Sequence, residues 1–404
     1  MAETILSRHN LLLSSWQDSA GIAEVRLAFS PANRDALGAT LAAARNLRLL
    51  DQVELAEPKQ FAHDNEPDFD EVPQDFLSFG AGDPHWHRAM IRLDEAHLDT
   101  QGSDNVTIFV IDSGIDMDHP DLVGALRDDW ADHDLDFGCG PDVTVPNARG
   151  VDHGTGVASL ALGRAPTPTT GVMGVAPNVR LVPMRIEGRN CDYINRAIAI
   201  RSAISLAPQN GRAVINLSWQ TEGSHEGVYL ALRKASEAGI AIVTSAGNYR
   251  SFDQREANKP HYPSGYGFAA PLVANGQPLF ETIPGLCSVG AVSSAGVRSS
   301  YSFYGNEAVT LAAPGGESGG PGHSLWIAMA NTAYGFGQGT SFSAPLVAGS
   351  LALLFSKDGQ MSAAAAINLL KETAKPLDTG AMLGAGVLDV KAALDKVIDT
   401  SATD

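Results

Sequence analysis

An α/β fold with a mostly parallel central sheet wrapped by helices is what this 404-residue sequence predicts, with a small α+β module at its N-terminus. Three observations carry that expectation. Five short runs, VTIFVID (106–112), RLVPMRI (180–186), AVINLSW (213–219), IAIVTSAGN (240–248) and CSVGAV (287–292), are apolar nearly throughout instead of alternating. Strands buried on both faces read this way and belong to parallel sheets covered by helices. Helical stretches stand between them; the most apolar, Ser343–Ser356, is shorter than the roughly 20 residues that span a bilayer and suits a core helix. Near Gly82 the composition changes from an acidic, Pro-containing stretch to this alternating pattern.

The first 58 residues read as a separate module. Ala23–Phe29 is apolar and β-prone, Ser30 caps a helix with Pro31 at its first position and Leu37 and Leu41 on one face, and LRLLDQVEL (47–55) reads as a second strand. PKQFAHDNEPDFDEVPQDFLSFGAGDP (58–84) has linker composition. The expected division is therefore a module over 1–58, an acidic linker over 59–83 and a large domain over 84–404. With 44% hydrophobic and 18% charged residues the chain can bury a substantial core. Its formal net charge of −18 argues against nucleic acid and anionic membrane as partners, since both need a positive face. MAETILSRHN lacks the basic start of a signal peptide, and Cys139, Cys191 and Cys287 have neither metal-site spacing nor an even count. A reducing, cytoplasmic setting is the expectation.

In open parallel sheets the ligand crevice lies outside the carboxyl ends of the strands. Asp112 closes the run IFVID, with Gly114 turning the chain away; alone, an acid and a glycine after a strand are ordinary turn chemistry. His153 opens an apolar helix in DHGTGVASLALG, where a capping or core role is the plainer reading. Ser341, in GTSFSAPLVAG (339–349), stands where serine most often caps a helix. Together they supply a hydroxyl, an imidazole to take its proton and a carboxylate to orient the imidazole. A helix start also aims unpaired N–H groups at an oxyanion. Asn248, in IVTSAGNYR, adds a side-chain amide just past a strand and is a candidate oxyanion donor; alone it would read as a Gly-Asn turn.

VIDSGIDMDHPDL, HGTGVAS and GTSFSAPLVAG resemble the aspartate, histidine and serine blocks of the subtilisin-like serine proteases, the subtilases, in the family's order. PHWHRAMIRLDEAH, GVMGVAPNVRLVPMRI, VINLSW, SAGNYR and VTLAAPGG resemble further family segments, so the likeness covers roughly 84–395. The resemblance implies a three-layer subtilisin-like fold and a serine endopeptidase with Asp112 orienting, His153 as base and acid, Ser341 as nucleophile and Asn248 as oxyanion donor. It implies that Ser218, Trp219, Gln220, Ala246 and Gly247 line a cleft in which a protein or peptide substrate lies extended. It further implies no cofactor for the chemistry, structural calcium in many members, and an N-terminal propeptide acting as intramolecular inhibitor; residues 22–57 suit that part, with a permanent recognition domain as the alternative.

The sequence departs from the pattern in places. Gly156 stands where many relatives carry a second histidine, Trp219 and Gln220 where small residues are frequent, and Tyr249 follows the asparagine. FAAPLVANGQPLFETIPGL (268–286) is a long connection and GGPGHSLWIAMANTAYGFG (319–337) a roomy one, which puts the specificity pocket, not the reaction, in question. DDWADHDLDFGCGPD (128–142) is dense in carboxylates but misplaces the glycine and lacks the closing glutamate of a calcium loop, so a metal site and a solvated acidic loop stay open. Rival readings are weaker. YGFGQGTS lacks the lysine of a phosphate-cradling loop, Ser343 stands where an α/β-hydrolase esterase needs glycine, and a catalytically silent peptide-binding scaffold predicts a lost triad residue where none is lost.

Overall fold

The computed structural model describes residues 11–17, 22–27, 83–127, 152–165, 171–186, 193–209, 212–221, 224–248, 261–267, 273–274, 277–278, 281–305 and 308–397. Its N-terminal part is a hairpin of β1 (Leu11–Gln17) and antiparallel β2 (Ile22–Leu27). β2 answers the strand expected at 23–29. β1 was not anticipated, and the expected helix after Ser30, the strand at 47–55 and the linker lie outside the described residues.

Six strands form the central sheet: β3 (Val106–Asp112), β4 (Arg180–Arg185), β5 (Arg212–Leu217), β6 (Ala241–Ser245), β9 (Leu286–Val292) and β10 (Leu311–Pro314). The small strands β7 (Val273–Ala274) and β8 (Gln277–Pro278) pair with each other inside the long 268–286 connection. The sheet order is β10-β9-β6-β5-β3-β4 and every pairing is parallel. Two of the expected runs end early: β5 stops at Leu217 and β6 at Ser245, so 218–221 and 246–248 leave the ladder as loops. Because the chain goes from β3 to β4 on one side and then to β5 on the other, the order reverses at β3, the strand that delivers Asp112.

Side chains alternate along β3: Val106, Ile108 and Val110 join one core cluster and Phe109 and Ile111 the other. Both faces are thus buried, which is why the run is continuously apolar. On the first face pack α1 (Trp86–Met90), α2 (Leu93–Asp99), α3 (Asp152–Leu162), α6 (Thr340–Lys357), α7 (Ala363–Thr373) and α8 (Val390–Lys396); α4 (Tyr193–Leu206) and α5 (Glu226–Glu237) cover the second. α6 lies against β3, β5, β6, β9 and β10, and its residues from Thr340 to Phe355 are buried throughout. Each fully buried Leu, Val or Phe on it contributes about 1.5–3 kcal/mol. The antiparallel hairpin β11 (Leu325–Met329) and β12 (Ala333–Gly337) leads directly into α6. Among the described residues no helix is long and apolar enough to cross a membrane.

Candidate active site

Asp112 ends β3 with 1% of its surface exposed. Its Oδ1 accepts from Ser113 N at 2.8 Å and from His153 Nδ1 at 2.7 Å. A carboxylate oxygen accepts here, so the ring proton of this bond is on Nδ1, and in a neutral imidazole the lone pair is then on Nε2. His153 sits in the first turn of α3, and Gly154 lets that turn come down on the exit of β3. A Cβ at Gly154 would lie 2.1 Å from Gly114 O and 3.3 Å from Asp112 Cβ, while Gly154 N donates to Ser113 Oγ at 3.0 Å.

Ser341 is the second residue of α6, after the N-cap Gly339, whose φ of 146° suits glycine. Its N–H belongs to the first turn, where amides have no intrahelical partner. Pro345, four residues on, has no N–H to offer the Ser341 carbonyl. Ser218 Oγ fills that place, donating to Ser341 O at 2.7 Å, and Ser341 Oγ donates in return to Ser218 O at 3.0 Å. The next side chain, Phe342, meets the His153 ring with centroids 5.6 Å apart. The imidazole and the serine turn are therefore neighbours, although 188 residues separate His153 from Ser341 in sequence.

Asn248 follows β6. Its Oδ1 accepts from both Thr340 N at 3.0 Å and Thr340 Oγ1 at 2.8 Å, and Thr340 Oγ1 accepts from Gly247 N at 3.2 Å. A backbone N–H is an unambiguous donor, so the amide orientation is set and Nδ2 is left as a donor beside Gly339, 3.2 Å from where a Cβ there would stand. Gln220 clasps the Asn248 backbone, accepting from its N at 2.7 Å and donating to its O at 3.0 Å. Trp219 is buried on the α4 side with the Arg196 guanidinium 4.3 Å above its ring, while Gly247 stands beside Thr340 and Gln220 and Ala246 O accepts from Ser264 Oγ at 3.4 Å. Tyr249 lies outside the described residues.

The model of the subtilase family (Peptidase_S8) matches residues 103–389 of this chain. Subtilisin DY of Bacillus licheniformis is 32% identical over 306 residues, which cover 75% of this chain and 96% of that one. The chain belongs to the subtilase family. A subtilisin of Bacillus pumilus is 30% identical over 310 residues, 76% of this subtilase and 96% of the relative. Among solved structures, MycP1 with its N-terminal propeptide removed superposes with a TM-score of 0.58 at 25% identity, covering 78% of this chain and 97% of that one. A protease of Pseudoalteromonas arctica shares the fold with a TM-score of 0.59 at 24% identity, over 77% and 96% of the two chains. This subtilase is a subtilisin-like serine peptidase, and a peptide is its substrate.

Three parts of the site were not singled out from sequence: Ser113, which carries the Gly154 amide, Thr340, which orients Asn248, and the exchange between Ser218 and Ser341. The proline at the fourth place after Ser341 was the available signal, since it orphans a buried carbonyl that something must satisfy. Subtilases need no cofactor for catalysis and often bind structural calcium. The described residues do not fit such an ion: no acidic or histidine cluster among them could hold one. Carboxylates near the site are taken by backbone amides, with Asp116 Oδ2 accepting from Thr332 N at 3.1 Å and Asp152 Oδ1 from Ala330 N at 2.8 Å. The acidic stretch 128–142 lies outside the described residues.

Proposed function

We propose that this serine endopeptidase works through an acyl-enzyme on Ser341, with His153 as general base and acid, Asp112 orienting it and Asn248 as oxyanion donor. The observation that carries the reading is the 2.7 Å bond from His153 Nδ1 to Asp112 Oδ1, which reserves Nε2 for the proton beside the turn that bears Ser341. Ser341 Oγ leaves Ser218 O by rotation about χ1 and passes its proton to Nε2 as it bonds to the scissile carbonyl carbon. The carbonyl π electrons move to oxygen, where Asn248 Nδ2–H and Ser341 N–H receive them. Nε2–H then protonates the amine nitrogen as the C–N bond breaks, and water repeats the sequence on the ester. No step runs through a metal; calcium, where the chain binds it, is structural.

The substrate lies extended, paired with the loop edge Ser218–Gln220 and flanked by Ala246 and Gly247, so it is an unfolded segment or a loop. The 1–58 module acts as a propeptide that covers this cleft and is cut away within 59–83. The β1–β2 hairpin gives the module a structured element, and MycP1, a structural relative, is described with its N-terminal propeptide removed.

The test is the intact mass of wild type and Ser341→Ala before and after a fluorophosphonate probe. A wild-type adduct at Ser341 and a loss of activity on the order of a million-fold in the variant are expected, a scale set by subtilisin itself. Loss of the N-terminal module only in the wild type is the expected sign of self-processing. A variant of near-normal activity would remove Ser341 from the mechanism, and a wild type that cuts peptides with residues 1–58 still attached would overturn the propeptide.

A further inference from the structure

Gln220 spans the gap between the loops that follow β5 and β6. β5 and β6 are neighbours, in register at Leu217 and Thr244, and beyond them 218–221 and 246–248 pass on either side of the first turn of α6. Ser218 holds Ser341 on one side and Asn248 holds Thr340 on the other. A third segment closes the back: Tyr262 and Thr221 exchange backbone bonds of 3.0 and 2.8 Å, and Ser264 Oγ donates to His261 O at 2.7 Å. The three segments together frame a crevice next to the turn that bears Ser341.

The crevice is occupied by the chain's own side chain. Gly247, at φ 117°, faces it: a Cβ there would stand 2.7 Å from Gln220 Oε1, 3.1 Å from the Phe303 ring and 3.4 Å from His261 Cβ. The Gln220 amide meets both backbone groups of Asn248, so it imitates a strand pairing and ties the two flanking segments together. Trp219 next to it is spent in the core under Arg196, which leaves Gln220 and His261 to set the depth of the crevice. When a scissile carbonyl points its oxygen at Asn248 Nδ2 and the Ser341 amide, the side chain on the adjoining α-carbon is directed toward this gap.

We infer that Gln220 is a specificity-determining residue that closes the crevice beside Ser341 and restricts the residue on the acyl side of the cleaved bond to glycine, alanine or serine. The inference rests on the assignment of Ser341 as nucleophile. A large apolar side chain enters only after the Gln220 amide has let go of Asn248, and that loss falls on such substrates alone. Apolar pockets distinguish a single methylene by about 10–200-fold, so an obstructed one discriminates at least at the low end of that range.

The experiment measures kcat and KM for the full-length wild type, Gln220→Gly and Gln220→Ala. The peptides differ only in having Gly, Ala, Leu or Phe before the cleaved bond, and each sample is also labelled with a fluorophosphonate. The expected result is a wild-type preference for Gly and Ala over Leu and Phe of about 10-fold or more in kcat/KM. Both variants should raise Leu and Phe relative to Ala by a similar factor, through KM. A Ser341 adduct with a flat wild-type panel overturns the inference, as do variants that lower kcat on every peptide alike, which would make Gln220 only a brace for Asn248. No adduct and no cleavage of any peptide by a sample whose intact mass shows residues 1–58 removed overturns the Ser341 assignment instead.

Discussion

Asn248 owes its usefulness to Thr340. Two bonds from Thr340 hold Oδ1, so the amide orientation is fixed, and in the proposed mechanism Nδ2 needs no reorganisation to meet the developing charge. Asn248→Ala should lower kcat by about 10²–10³-fold with KM nearly unchanged, the cost of one such donor in subtilisin, where the scale was set. Steady-state kinetics decide it: a raised KM with kcat intact would mean that Asn248 binds substrate and transition state equally. Ser218 serves Ser341 in the same local manner. Its hydroxyl replaces the amide that Pro345 lacks, so the carbonyl of Ser341 is satisfied within the chain.

At the scale of elements, the site depends on how β11 and β12 are pinned between two loops and a helix. The turn of this hairpin has Asn331 and Thr332 at φ 62° and 57°, left-handed values that asparagine tolerates better than threonine. It is held by Asp116 at Thr332 N, by Asp152 at Ala330 N, and by His119 Nε2, which donates to Ala333 O at 3.1 Å while Nδ1 accepts from Asp121 N at 3.2 Å. The loop after Asp112 and the turn of His153 are thereby tied to the hairpin that feeds Ser341. Gly156 belongs to the same junction. A Cβ there would lie 2.8 Å from Ile327 Cδ1 and 3.1 Å from Phe342 Cε1, so the space where many relatives carry a second histidine is filled by the hairpin and the serine helix. Gly156→Ala sets about 1–3 kcal/mol of overpacking against about 1 kcal/mol gained in helix propensity, so stability should fall by up to about 2 kcal/mol, read as a lower urea midpoint at unchanged m-value. An unshifted midpoint would show that Ile327 yields freely.

For the whole molecule, the buried His87 and the half-buried His225 contribute to the response to acid. Burial pushes His87 well below its ordinary range, reinforced by His85 and Arg88, and burial followed by Arg196 lowers His225 to about 4. Unfolded histidine titrates near about 6.5, so between that pH and about 4 the unfolded chain binds more protons than the folded one. The stability these groups contribute is present above the unfolded value and is lost as pH falls through the window. Urea unfolding from pH 7.5 to 4.5 should show declining stability, and His225→Gln should flatten part of the decline. A profile level across that range would overturn the argument. The backbone of His225 keeps its bonds to the Tyr266 hydroxyl in the variant, which isolates the effect of the ring.

Local sequence pattern carries most of the central sheet, its longest helix and the residues proposed for the chemistry. Continuous apolar runs marked five of the six parallel strands, the helix at 343–356 was legible from its apolar length, and Asp112, His153, Ser341 and Asn248 stood at strand ends and helix starts, where such chemistry collects. These are local properties, written in neighbouring residues. β10, four residues long, is too short for its pattern to stand out except through the resemblance, and β1 gives no continuous signal because two serines split Leu11–Leu13 from Trp16. Tertiary structure alone decided which polar groups satisfy each other. Ser218 and Ser341 are 123 residues apart and Gln220 and Asn248 are 28 apart, and each pair meets because β5 lies between β3 and β6 with its end cut short at Leu217. Periodicity encodes which face of a strand is buried; it carries no information on which strand lies next to it, and the crevice beside Ser341 is made by that adjacency.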